Sequence, residues 1–109
     1  MPNTYKILGQ SVPTANTFFD IYAVPSGASA IVATVNACNL TAANVTFRLA
    51  AKQANATLTA RQYIVFDTVI PAQDSIGLSL GLTLANTDVL TAFSFQGNVS
   101  FNVFGTEIT

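Results

Sequence analysis

Between Ser75 and Leu84 the chain reads Ser-Ile-Gly-Leu-Ser-Leu-Gly-Leu-Thr-Leu. Every second residue is a large aliphatic: Ile76, Leu78, Leu80, Leu82 and Leu84. A period of two sustained over this length fits a β-strand with one face made for burial. A helix would scatter the same five side chains around its whole circumference. Burial of each would contribute roughly 1.5–3 kcal/mol before conformational entropy is subtracted. The other face carries only Ser75, Gly77, Ser79, Gly81 and Thr83. A strand face meant for water normally bears bulky polar or charged groups, and glycine within a strand weakens it and often marks close approach of another backbone. These five residues are therefore the candidate interface. They are expected to pack against another subunit, with the second sheet or a loop of the same chain as the alternative cover.

The rest of the chain divides at turn signals into segments of the same kind. Thr4–Gly9, Phe18–Val24, Ser29–Cys38, Val45–Lys52, Arg61–Ile70, Ser75–Leu84 and the runs from Val89 and Val99 read as strands. In Ser29–Cys38, simple alternation puts Ile31 and Val35 on one side and Val32 and Thr34 on the other. Near the C-terminus, Gln96-Gly97-Asn98 has the length of a hairpin loop. Pairing its flanks would set Phe93, Phe95, Val99, Phe101 and Val103 on one apolar face. Ser94, Ser100 and Asn102 would continue the small polar theme on the other. About eight short strands with no convincing helix predict a single all-β domain over residues 1–109: an antiparallel β-sandwich of jelly-roll type.

Composition closes off several functions. Charged residues are 8% of the chain, against about 25% in ordinary globular proteins. The four basic residues, Lys6, Arg48, Lys52 and Arg61, form no patch, which argues against nucleic acid. No uninterrupted apolar run is long enough for a membrane helix, and the aromatic content does not fit the girdles of an outer-membrane barrel. The opening MPNTYKILGQ lacks the charged start and apolar stretch of a secretory signal, so synthesis and assembly in a cytoplasm are expected.

No catalytic, cofactor-binding or metal site is expected. The chain has no His and a single cysteine, Cys38, which reads as a small buried residue. Asp74 and Asp88 fall at turns, where aspartate caps its own backbone. Asp20 and Asp67 lie in strands within reach of Arg48, Arg61 or Lys52. Sequons at Asn39, Asn44, Asn55 and Asn98 are what a chain rich in Asn, Thr and Ser produces by chance. Tyr5, Tyr22 and Tyr63, the tyrosines a sugar site would use, all sit in strands and read as core.

The fragments YKILGQ, IYAVPSG, CNLTAANVTFRLA, RQYIVFDTVIPAQDS, LGLTLANTDVL and VSFNVFGTEI together resemble a group of small virion structural proteins of tailed phages, especially those of cyanobacteria. The resemblance runs over nearly the whole chain and rests on structural motifs, among them the Val24-Pro25 strand end and the Phe101-Asn102-Val103-Phe104-Gly105 terminus. It implies a β-sandwich serving as a capsid decoration or cement protein, or as part of a tail, baseplate or fibre. It carries over no functional residue. The expected partners are copies of the chain itself, with a homotrimer favoured as a closed ring, together with the major capsid protein or other virion proteins. The expected location is a virion assembled in host cytoplasm.

Overall fold

The structure, a computed structural model, describes residues 3–109. Eight strands account for most of it: β1 (Asn3–Ser11), β2 (Phe19–Ala23), β3 (Ser29–Asn39), β4 (Val45–Lys52), β5 (Tyr63–Ile70), β6 (Ser75–Leu84), β7 (Val89–Phe93) and β8 (Val99–Ile108). They form two four-stranded antiparallel sheets, ordered β1-β8-β3-β6 and β2-β7-β4-β5. Apart from β4 and β5, consecutive strands do not lie side by side, and the order is that of a jelly roll, two Greek keys wrapped face to face.

Inward residues of the two sheets meet in one core. Phe47 and Phe101, both fully buried, touch across the interior with ring centroids 5.9 Å apart. Val32, Val35, Leu49, Ile70, Leu90 and Val103 fill the space around them. At the β1–β2 end the sheets approach so closely that a Cβ on Gly9 would collide with the Ile21 carbonyl oxygen.

A line of irregularities crosses the first sheet. Leu8 in β1 and Ala33 in β3 are extra residues against β8, and Leu80 and Gly81 together face Ala33. Gly81 adopts φ +61°, a left-handed conformation that glycine tolerates at a bulge. Because a bulge resets the pleat, Val32 and Val35 both point into the core while Ile31 is exposed. Simple alternation misassigns this strand, since it puts the two valines on opposite faces.

The expected C-terminal hairpin does not form. β7 pairs with β2 and β4, whereas β8 pairs with β1 and β3. The Gln96–Asn98 segment carries the chain from one sheet to the other, with Gly97 and Asn98 at positive φ. Phe95 accordingly leaves the core and is 46% exposed, while Phe101 and Val103 stay fully buried. Ser94 is also buried, its hydroxyl donating to the Thr46 carbonyl at 2.8 Å.

Candidate interaction surface

β6 is an edge strand, hydrogen-bonded only to β3. Its five small residues, Ser75, Gly77, Ser79, Gly81 and Thr83, are all exposed, and neither the second sheet nor a loop of the described residues lies over them. The aliphatic face fares little better. Leu84 is buried, but Ile76, Leu78, Leu80 and Leu82 are only partly covered, so they fall short of the full burial expected of them. The reason lies across the sandwich. Thr68 of β5 is register partner to the buried Phe47, and so faces inward, yet it is exposed. The sheets close tightly where Gly9 meets Ile21, whereas along β5 and β6 Val65, Ile70 and Leu84 are buried but Thr68 and the β6 aliphatics between Ile76 and Leu82 are left partly open.

The small-residue theme spreads from β6 over its neighbours. Cys38 stands between Ser75 and Ser100, Asn36 between Gly77 and Asn102, and Thr34 between Ser79 and Phe104. Cys38 is thus a half-buried residue of the outer face and not a core residue, because the Ala33 bulge directs it outward with Thr34 and Asn36. On the far side of the bulge line the same face turns apolar: Tyr5 is 82% exposed, Ile7 51%, Ile31 41% and Phe104 39%. Tyr5 therefore leaves the core reading, while Tyr22 keeps it at 7%. The only charged residues in these four strands, Lys6 and Glu107, pair with each other at 2.8 Å on the inner side. The outer face as a whole is uncharged and partly apolar.

The opposite sheet carries a second feature that alternation alone misses. The Arg48 guanidinium lies 4.1 Å from the Phe66 ring centroid, 4.9 Å from Phe95 and 5.2 Å from Phe93. Phe18 stacks on Phe93 at 4.5 Å. Phe18, Phe19, Phe66 and Phe95 are all at least 40% exposed. Asp67, turned to φ +54°, accepts two hydrogen bonds from Arg48, at 2.7 and 3.0 Å. That bidentate pair holds the Asp67 carboxyl below its ordinary range and the Arg48 guanidinium above its own. Phe18 precedes β2 and Phe19 opens it, and neither ring enters the core.

Glu107, Tyr22, Lys6, Lys52, Asp20, Asp74 and Asp88 have structural partners. Glu107 receives Lys6 Nζ at 2.8 Å and the Tyr22 hydroxyl at 2.7 Å, tying β1 and β8 to β2. Hydrogen bonds from Lys6 and then Tyr22 lower its carboxyl pKa. Burial, reinforced by that carboxylate, pushes the Tyr22 phenol well above its usual range. Lys52 pairs with Asp20 at 3.1 Å. Asp74 accepts from the Ser75 amide, and Asp88 from those of Ala54 and Ala85, the turn roles expected of them. Asn39 is buried and its side chain is committed to Ala43, Ile70, Pro71 and Thr41, so that sequon cannot hold a glycan in the folded chain. Among the described residues there is no cavity for a small molecule and no cluster of metal-ligating side chains.

Comparisons with protein-family models, with curated proteins and with solved structures returned no match.

Proposed function

We propose that this chain is a non-enzymatic structural protein of a phage virion, a capsid decoration or cement protein that joins copies of itself and braces junctions between capsid subunits. The observation that carries this reading is the outer face of β1-β8-β3-β6. It sets an uncharged carpet of Ser, Thr, Asn and Gly beside exposed Tyr5, Ile7, Ile31 and Phe104. Contiguous apolar surface rimmed by small polar residues is the composition of a contact surface, and interface centres are depleted of charge in the same way. The jelly-roll order agrees with it, since viral capsid domains use that architecture, although the fold by itself assigns no role. A chain with so few charges gains solubility by covering this face in an assembly.

A competing place in a tail, baseplate or fibre, with contact to host glycans, draws on one observation, the exposed aromatic cluster around Arg48. Cryo-electron microscopy of the virion separates the two. Density for the sandwich over capsid subunit junctions supports the decoration role. Density confined to the tail tip overturns it, and a glycan array that stays blank with the assembled protein removes the host-contact form of the alternative.

A further inference from the structure

We propose that β6 is where a second copy of this chain adds, edge to edge and antiparallel, about a two-fold axis through Ser79. This rests on the self-assembly in the reading above and names its geometry. The stretch Ser75–Thr83 is nearly a palindrome: reading outward from Ser79, Leu78 answers Leu80, Gly77 answers Gly81, Ile76 answers Leu82 and Ser75 answers Thr83. In an antiparallel pair centred on Ser79, each residue therefore meets one of its own size. Aliphatics continue the inner face across the junction and small residues continue the outer one. That is the self-complementarity a two-fold interface requires, since the same patch must serve both partners.

The other sheet edges are unsuited to pairing. β1 carries Lys6 and the Leu8 bulge, β2 has five residues and carries Asp20, and β5 carries Asp67 in a left-handed conformation. Each has a charge or irregularity of the kind that blocks edge pairing. β6 is ten residues long with neither charge nor proline. Its one irregularity is the bulge at Leu80–Gly81; in this register Leu80 meets the partner's Leu78, and the left-handed Gly81 meets the partner's Gly77, so no side chain lies between the two glycines.

Pairing would also cover more of Ile76, Leu78, Leu80 and Leu82, the aliphatics left only partly buried at this edge. A ten-residue strand is roughly 34 Å long, and a sandwich edge with sheets about 10 Å apart is roughly 15 Å wide with its side chains. Contact along that strip buries on the order of 500 Å² per partner, about 1,000 Å² in all, near the lower bound for a specific interface. An interface at this lower bound makes a weak pair, suited to completion on a larger lattice.

The test uses the register's defining property, that Ser79 faces itself. The full chain is examined by light scattering and native mass spectrometry from low to high micromolar concentration, with Ser79→Lys and Ser79→Glu beside it. Ser79 is exposed, so both variants should keep the wild-type far-ultraviolet circular dichroism. A wild-type dimer is expected, weakened at least about tenfold in either variant by like charges facing across the axis. An equimolar mixture of the two should restore it as a heterodimer. A wild-type monomer throughout, a trimer, or a dimer indifferent to Ser79→Lys overturns the pair. Mass spectrometry of purified virions tests the other reading separately. A monomeric chain found there sinks the pair alone, whereas a β6-dependent dimer of a chain missing from virions upholds the pair and sinks the virion role.

Discussion

Replacing Phe101 and Phe95 separately with alanine tests the jelly-roll crossing directly, because simple alternation treats the two rings alike and the structure does not. Phe101 is fully buried and packs on Phe47 across the core at 5.9 Å. Removing a buried phenylalanine costs about 3–5 kcal/mol, of which the aromatic contact supplies roughly 0.5–1.5. Phe95 is 46% exposed, with its ring centroid 4.8 Å from that of Phe93 in a T-shaped contact and the Arg48 guanidinium over its face. Its loss forfeits a partial burial and an exposed cation–π contact, about 1 to 1.5 kcal/mol in all. Against a total stability of about 5–15 kcal/mol for a domain this size, Phe101→Ala leaves a marginal fold and Phe95→Ala a sound one. Urea unfolding followed by circular dichroism measures both, at a protein concentration low enough that self-association adds no stability. The melting temperature should fall by roughly 12–30 °C for Phe101→Ala and by less than about 12 °C for Phe95→Ala. Equal losses, within about 0.5 kcal/mol, would mean that the two residues share a face and that the crossing between sheets is wrong.

The same geometry fixes the outcome of four other substitutions. Tyr22→Phe removes a hydrogen bond to an ionised carboxylate and should cost about 1.5–3 kcal/mol at neutral pH in the same urea assay. Because Glu107 titrates lower in the folded chain than in the unfolded one, its stabilisation is complete above the ordinary glutamate range. That stabilisation drains away as pH falls through the depressed folded value, so Glu107→Gln should flatten the acid limb of a stability–pH curve. Tyr22 shifts the other way. The unfolded phenol ionises first, and wild-type stability should decline as pH climbs past about 10, a decline that Tyr22→Phe removes. Arg48→Lys keeps the charge but loses the planar stack on Phe66 and the two-pronged grip on Asp67, and should destabilise by about 1 kcal/mol. Gly9→Ala drives a methyl into the Ile21 carbonyl and should cost about 1–3 kcal/mol, visible as a lowered urea midpoint.

The period-two pattern made the strands legible because it is a local property. β4 and β6 fall where the alternation puts them, and the other strands differ only at their ends. Sheet membership is not local. Gln96-Gly97-Asn98 has hairpin length and chemistry, but the chain there pays for a crossing because β8 gains two long partners, β1 and β3, in the other sheet. Bulges hide from alternation for a related reason. Ala33 is one residue among many alanines, yet it rotates Val35 into the core and Cys38 out of it. The outer face of β6 was readable, since Ser75, Gly77, Ser79, Gly81 and Thr83 need only parity to identify them. The cluster around Arg48 was not, because it brings together Phe18, Phe66 and Phe95 from three separate parts of the chain.

Hydrogen exchange along Ser75–Thr83 is the most direct measurement of whether this flank is a working surface. Amides on the unpaired side of β6 should exchange rapidly in dilute solution and slow markedly as the chain concentrates or joins a particle. Exchange equally fast in the assembled particle and in the dilute monomer would leave the edge and its small-residue face wet in both, and self-assembly through β6 would be refuted.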